Sequence, residues 1–275
     1  MADWYTGWDG GAYENDGVRT ADSLLTTVTA SASAHTKGAW VELVASTLGG
    51  SSMTVFCAHN SVAGDYLLDI GIGAAGSEVV IVPNLHLFGG IDLTEVSIPI
   101  PLSIPRGARI AARAQCQASG SRTIRCGVAI HRGGYASSGL SMMTAYGIVT
   151  ASSRGTSCDP GAVANTKTTV EIASSTGRPI RSLIVSICPS EAGLTLASWA
   201  GWVFDVQVGA ASSEVVVIPN LHVRASSTID NPRHTYIGPL PCAIPAGSRL
   251  SVAVQTDVVT DATDRKVTVS LYGLE

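Results

Sequence analysis

The feature that most constrains this chain is a block written twice. Residues 66–87 read YLLDIGIGAAGSEVVIVPNLHL, and residues 202–223 read WVFDVQVGAASSEVVVIPNLHV. More than half of the positions are identical, and most others exchange one apolar residue for another. Such a duplication outranks local propensity, because each copy must bury the same pattern and so takes the same fold.

The correspondence runs beyond the block. Upstream, TKGAWVELVAST (36–47) answers TKTTVEIASST (166–176), which sets Glu42 against Glu171, and Cys57 in MTVFCAH answers Cys188 in LIVSICPS. Downstream, PLSIPRGARIAARAQ (101–115) answers PCAIPAGSRLSVAVQ (241–255), and TIRCGVAIH (123–131) answers KVTVSLYG (266–273). Each copy spans roughly 110–120 residues, the size of one domain. The expected organisation is an N-terminal arm at 1–20, one domain at 21–135, a short linker at 133–141, and a second domain at 142–275.

Within the first copy, eight short runs carry strand character: 24–32, 39–45, 53–58, 66–72, 78–87, 96–104, 109–115 and 123–130. GGSS, NSVAGD, GAAGS and SIPRGA lie between them with turn chemistry, and no window repeats at 3.6 residues. The expected fold is all-β, a sandwich or barrel in each half. Residues 142–150 are expected to open the second domain as the counterpart of 24–32. Val80 and Val216 are expected to lie in the cores.

Prolines refine this. Pro99, Pro101 and Pro105, like Pro239, Pro241 and Pro245, sit in extended segments that a central ladder would not tolerate, so these are edge strands or sheet-crossing connections. Ile-Pro-x-Gly at 104–107 and 244–247 predicts a type II turn with proline at its second position. Two tandem jelly-roll-like β-sandwiches, related by duplication, fit better than a closed up-and-down barrel.

Charge is low, 14% of residues with a net of −4. The 17 basic side chains are scattered, which argues against a nucleic-acid partner held through phosphates. Mean hydropathy is +0.29, yet no apolar run reaches 18 residues, so no membrane insertion is expected. The start, MADWYTGWDGGAYENDG, has neither a basic nor an apolar region of the kind that leads a secreted protein. Its Trp4, Tyr5, Trp8 and Tyr13 are costly to leave in water, and an arm ordering against a neighbouring subunit is expected; a terminus without fixed structure is the alternative. Cys57 and Cys188 read as buried thiols. Cys116 and Cys126 flank a hairpin-like segment and are placed to pair under oxidation.

Several patterns resemble chemistry. Residues 71–76 match G-x-G-x-x-G, but they open a strand rather than a helix, and the second copy keeps only one of the three glycines. A strand-to-strand turn is expected, not a nucleotide site. Asp69, Glu78, Pro83, Asn84 and His86 recur as Asp205, Glu214, Pro219, Asn220 and His222. Carboxylates with a histidine suit acid–base or metal chemistry. Identical catalytic sites in both halves would be unusual, however, whereas identical turns follow from duplication, so structural duty is expected. Asp257, Asp261 and Asp264 cluster in one loop, read as solvated acid with calcium ligation as the alternative. No serine, zinc or P-loop hydrolase motif occurs. Neither a catalytic residue nor a metal or cofactor is expected. Trp40, Trp199, Trp202 and Tyr236 are candidates for stacking on sugars, with Trp40 and Trp202 better read as core.

The repeated pattern D-[IV]-x-[IV]-G-A-A-x-S-E-V-V-[IV]-[IV]-P-N-L, preceded by MADWYTGW, resembles uncharacterised structural proteins of tailed bacteriophages. The resemblance covers most of both halves and assigns no functional residues. It implies a virion component assembled in the bacterial cytoplasm: tail, neck or collar, fibre, or capsid decoration. It further implies many copies in homo-oligomeric contact, other virion proteins as partners, and no catalysis. The alternative is a tandem carbohydrate- or receptor-binding β-sandwich, lectin-like, whose partner would be a host-surface glycan.

Overall fold

The computed structural model describes residues 13–16, 25–59, 64–89, 96–132, 140–188, 199–226, 234–258 and 265–275. Among these, the regular structure is strand throughout, and no helix is long and apolar enough to cross a membrane. The chain divides into two compact units, residues 1–144 with 150–153 and Leu274, and residues 145–149 with 154–273 and Glu275.

The first unit contains β1 (Tyr13–Asp16), β2 (Thr26–Thr29), β3 (Val41–Val44), β4 (Ser52–His59), β5 (Gly64–Ile72), β6 (Val79–Gly89), β7 (Val96–Ile100), β8 (Ile110–Cys116) and β9 (Thr123–His131). Then come β10 (Met143–Tyr146), β11 (Ile148–Val149), β12 (Arg154–Cys158), β13 (Thr168–Ala173), β14 (Ile180–Cys188), β15 (Trp199–Val208), β16 (Val215–Ser226), β17 (Thr235–Ile244), β18 (Leu250–Thr256) and β19 (Val267–Leu274).

In the first unit one sheet runs β2–β9–β4–β7 and the other β3–β8–β5–β6. In the second the orders are β12–β19–β14–β17 and β13–β18–β15–β16. Within each of these sets of eight strands, every connection crosses between sheets except the β5–β6 hairpin and its counterpart β15–β16. Eight strands dealt in this way to two sheets make a jelly roll, so each half is a jelly-roll β-sandwich. Among the eight strands of each jelly roll, the duplicated block is the hairpin that stays within a sheet.

Apolar alternation explains the packing. Val28, Met53, Val55, Ile98, Val128 and Ile130 of one sheet and Tyr66, Leu68, Ile70, Val82, Leu85 and Ile110 of the other are buried in the first unit. Trp202, Phe204, Val206, Val252, Val254, Val269 and Leu271 form the equivalent core of the second. Pro99 lies in β7, and Pro239 and Pro241 lie in β17, each the last strand of its sheet. There a missing N–H leaves no ladder partner stranded.

Four expectations are corrected. Residues 142–150 are not the counterpart of β2. That place belongs to β12, which pairs with β19 as β2 pairs with β9; the earlier residues form β10 and half of the β11–β12 hairpin. The segment 1–20, read without a packed element, supplies β1, whose Tyr13–Asp16 pair with His131 to Val128 in line with β2 on the same edge of β9. An open edge of N–H and C=O groups templates such an added strand. In the Ile-Pro-x-Gly turn, Ala108 N donates to Pro105 O and Gly107 has φ of +78°, so the proline stands first rather than second.

Fourth, Val216 is 42% exposed and Val80 is half-buried, while Val82 and Ile218 are buried. The register skips a residue on the second strand of each hairpin: Ile70 faces Val82 but Gly71 faces Val80, and Val206 faces Ile218 but Gln207 faces Val216. A one-residue slip turns the following side chains to the other face.

Candidate functional site

The repeated polar residues converge on the hairpin, where they hold two features that backbone hydrogen bonding alone leaves incomplete. The first is a bulge. Leu68 faces Leu85 and Ile70 faces Val82, so Pro83 and Asn84 together stand opposite Asp69. In the second copy Pro219 and Asn220 stand opposite Asp205. Asn84 and Asn220 take φ of +48° and +53°, a left-handed conformation that asparagine tolerates better than most residues. Proline at the preceding position has no N–H to lose.

The bulge leaves the asparagine N–H off the ladder, and the aspartate takes it. Asn84 N donates to Asp69 Oδ1 at 2.8 Å, and Asn220 N donates to Asp205 Oδ1 at 2.8 Å. Both carboxylates are buried and each has a lysine partner, Lys37 Nζ at 2.8 Å from Asp69 and Lys167 beside Asp205. Arg113 Nε adds a third bond to Asp69 at 2.9 Å. Burial pulls the Lys37 ammonium below its ordinary value, and the attraction of Asp69 only partly offsets this.

The second feature is the tip of the hairpin. Ser77 N donates to Ala74 O and Ser213 N to Ala210 O, closing tight turns. Gly76 and Ser212 adopt φ of +82° and +65° there, so the G-x-G-x-x-G stretch is a strand-to-strand turn. Behind it a single arginine joins three segments. Arg109 Nε donates to Glu42 Oε2 at 2.7 Å, and its Nη1 donates to Glu78 Oε1 at 2.8 Å and to Gly73 O at 3.4 Å. Arg249 repeats this with Glu171 at 2.6 Å, Glu214 at 2.9 Å and Gly209 O at 3.3 Å. These hydrogen bonds hold both guanidinium groups above their ordinary range.

Both inner glutamates are held below the usual carboxylate value. Burial pushes Glu78 up, but its own backbone N–H, Arg109 and the Gly76 N–H outweigh it. For Glu214 its own backbone N–H leads, followed by Arg249. A carboxylate committed in this way stays ionised and is a poor proton shuttle at neutral pH.

The two histidines are not equivalent in environment. His86 is fully buried with Nε2 2.7 Å from Asp65 Oδ1, whereas His222 is exposed. At the place of Asp65 the second copy has Gly201, whose N–H donates to Asp257 Oδ1 at 2.7 Å. A Cβ on Gly201 would come within 3.1 Å of Asp257 Oδ2 and 3.4 Å of His222 Nε2. An aspartate therefore neighbours the histidine in both copies, but from a different strand end. Asp261 and Asp264 lie outside the described residues, as do Trp4, Tyr5, Trp8 and the side chains of Tyr13 and Trp199.

Of the other aromatics, Trp202 is core, with Nε1 donating to Arg265 O. Trp40, expected in the core, is half-exposed: its ring lies against Gly71, and the Arg113 guanidinium sits 4.5 Å from the ring centroid. Tyr236 stacks on His234 at 4.7 Å. All six cysteines are free thiols. Cys116 is on β8, in the opposite sheet from Cys126, and Cys126 stands directly across from Cys57 on β4.

Sequence reasoning missed Arg109, Arg249, Lys37, Lys167 and Asp65. The first four lay within the aligned repeats and recur at matching places, a signal as strong as the one that flagged the aspartates. Asp65 carried none, because the second copy has glycine there.

No family model and no curated protein matches the chain. Among solved structures, it resembles the tandem CBM22-1–CBM22-2 domains of Paenibacillus barcinonensis Xyn10C at 9% identity, covering 98% of this chain and 92% of that one, with a TM-score of 0.28. It resembles the cowpea mosaic virus top component at 11% identity, covering 94% and 92%, with a TM-score of 0.39. For PNGF-II the values are 10% identity, coverage of 91% and 65%, and a TM-score of 0.38. At such scores none of the three carries an argument, and the fold rests on strand order and register.

Proposed function

We propose that this chain is a structural subunit of a tailed-bacteriophage virion, working through contacts with copies of itself and with other virion proteins. The observation that carries the reading is the use to which the repeated residues are put. In both units the aspartate, glutamate, arginine and lysine are spent on fixing one hairpin, whose tip then presents an apolar side chain to solvent. Val79 is 66% exposed and Val215 64%, at equivalent positions. A rigid tip with an exposed valine, present twice, suits a subunit that docks on neighbours. Tail, neck or collar, fibre, and capsid decoration all accommodate such a subunit.

Mass spectrometry of purified particles tests this. Recovery of the chain at many copies per particle supports it; recovery only from the soluble lysate overturns it.

The carbohydrate-binding reading draws on the half-exposed Trp40. That ring is already stacked by Arg113, and Tyr236 is stacked by His234, so the assembly reading is preferred. A glycan array on the purified chain separates the two.

A further inference from the structure

Cys57 on β4 and Cys126 on β9 stand directly opposite each other in the first unit, and both are buried, at 4% and 0%. Residues directly opposite in an antiparallel pair turn their side chains to one face. Here that face is the sandwich core, which Met53, Val55, Val128 and Ile130 share at the alternate positions.

Antiparallel pairs alternate between a wide kind, in which two residues exchange both hydrogen bonds, and a narrow kind with Cα atoms about 4.5 Å apart. The hydrogen bonds around β9 decide which kind this is. Ala30 N donates to Arg122 O at 2.8 Å, in the same register that sets Thr26 opposite Cys126. Arg122, Ile124 and Cys126 therefore turn their N–H and C=O groups towards β2. The odd-numbered residues of β9 turn theirs towards β4, as the bond from Ser51 N to His131 O at 2.9 Å requires. Cys57 and Cys126 are thus a narrow pair. A disulfide needs Cα atoms about 4.4–6.8 Å apart and Cβ atoms about 3.5–4.5 Å apart, which a narrow pair meets with little backbone movement. Cys116, which the sequence offers as the partner, lies on β8 in the facing sheet, and facing sheets pack about 10 Å apart.

We infer that Cys57 and Cys126 form a site of oxidative modification, a cross-strand disulfide made when the chain meets a small-molecule disulfide as oxidant. Cys57 lies two residues from the end of β4, where local opening is easiest, and reacts first. It loses its proton, and the thiolate attacks one sulfur of the reagent and expels the other half as a thiolate. The Cys126 thiolate then attacks the Cys57 sulfur of this mixed disulfide and expels the second half. Two protein thiols are oxidised, one reagent disulfide is reduced to two thiols, and these take up the two protons. The new bond ties strands whose cysteines are sixty-nine positions apart, and closing so long a loop restricts the unfolded chain. In a reducing compartment both residues stay thiols, and in an oxidising one the sheet is stapled. The pair belongs to the fold of the first unit, so it stands or falls separately from the virion reading, which particle composition decides.

The test is to refold the full chain from urea in a buffer of oxidised and reduced glutathione, which reaches both thiols before the sheet forms, so access does not limit the result. Peptide mapping without reductant is expected to recover Cys57 joined to Cys126. Tm is expected to rise by roughly 5–10 °C over the same chain refolded with reductant. Cys126→Val, close in volume, and Cys57→Ala should each abolish both the cross-link and the shift. Linkage of Cys116 to Cys126 overturns the inference, as does recovery of both Cys57 and Cys126 as thiols in the refolded chain. A linked chain that melts below the reduced one also overturns it, because the bond then strains the pair instead of fitting it.

Discussion

Asp69 accepts the backbone N–H of Asn84 at 2.8 Å across the β5–β6 pair, and Asp205 does the same for Asn220 across β15–β16. The bulge is therefore a built feature, held from the opposite strand by a buried carboxylate. Asp69→Ala removes the one acceptor shared by the Asn84 N–H, Lys37 and Arg113 and leaves the Lys37 ammonium only the Leu67 carbonyl. It should cost about 3–5 kcal/mol, the cost of breaking a buried pair. Asp205→Ala leaves Lys167, a third exposed, free to reach water and should cost about 1–3 kcal/mol. Urea unfolding of the two variants checks the order.

The conformation of the bulge makes its own demand. Because Asn84 has φ of +48°, Asn84→Gly should stay within about 1 kcal/mol of the parent. Asn84→Val should cost about 1–3 kcal/mol for the strained backbone. Equal losses from both in thermal melts would count against the left-handed assignment.

Burial relocates the core positions of the hairpin. Val82→Glu and Ile218→Glu place a charge in the sandwich and should leave no soluble folded protein. Val216→Glu should fold with near-parental circular dichroism, since that side chain already meets water. Loss of fold in Val216→Glu would sink this register.

The two histidines should part company. His86→Ala leaves Asp65 buried without its 2.7 Å partner and should cost about 1–3 kcal/mol, whereas His222→Ala, at an exposed site, should change stability by less than about 0.5 kcal/mol. Chemical denaturation of each single variant distinguishes them.

Acid should act through the hairpin tips. Glu78 and Glu214 have folded values below their ordinary 4.5, so the native state holds their protons less tightly than the unfolded chain. Their stabilisation is present above about pH 4.5 and is lost as pH falls through that value towards the folded one. The double variant Glu78→Gln, Glu214→Gln should therefore be less stable than the parent at pH 7, and the gap should narrow progressively as pH falls below 4.5. A gap that does not narrow on acidification below that value would contradict the clamp.

By itself the sequence determined the duplication, the all-β class and the edge place of the proline strands. Alternation, turn residues and proline's missing N–H act within a few residues, and a co-linear repeat doubles the signal. Only the tertiary structure decided which chemistry each repeated residue performs. Asp69 and Asn84 are fifteen positions apart, and Arg109 meets Glu42 across sixty-seven, distances over which no local pattern operates. Bulges hid the rest: one extra residue beside Gly71 moves Val80 off the core face, and a glycine in place of Asp65 gives two identical histidines different surroundings. Period and identity describe a strand by itself, whereas register and burial belong to the pair.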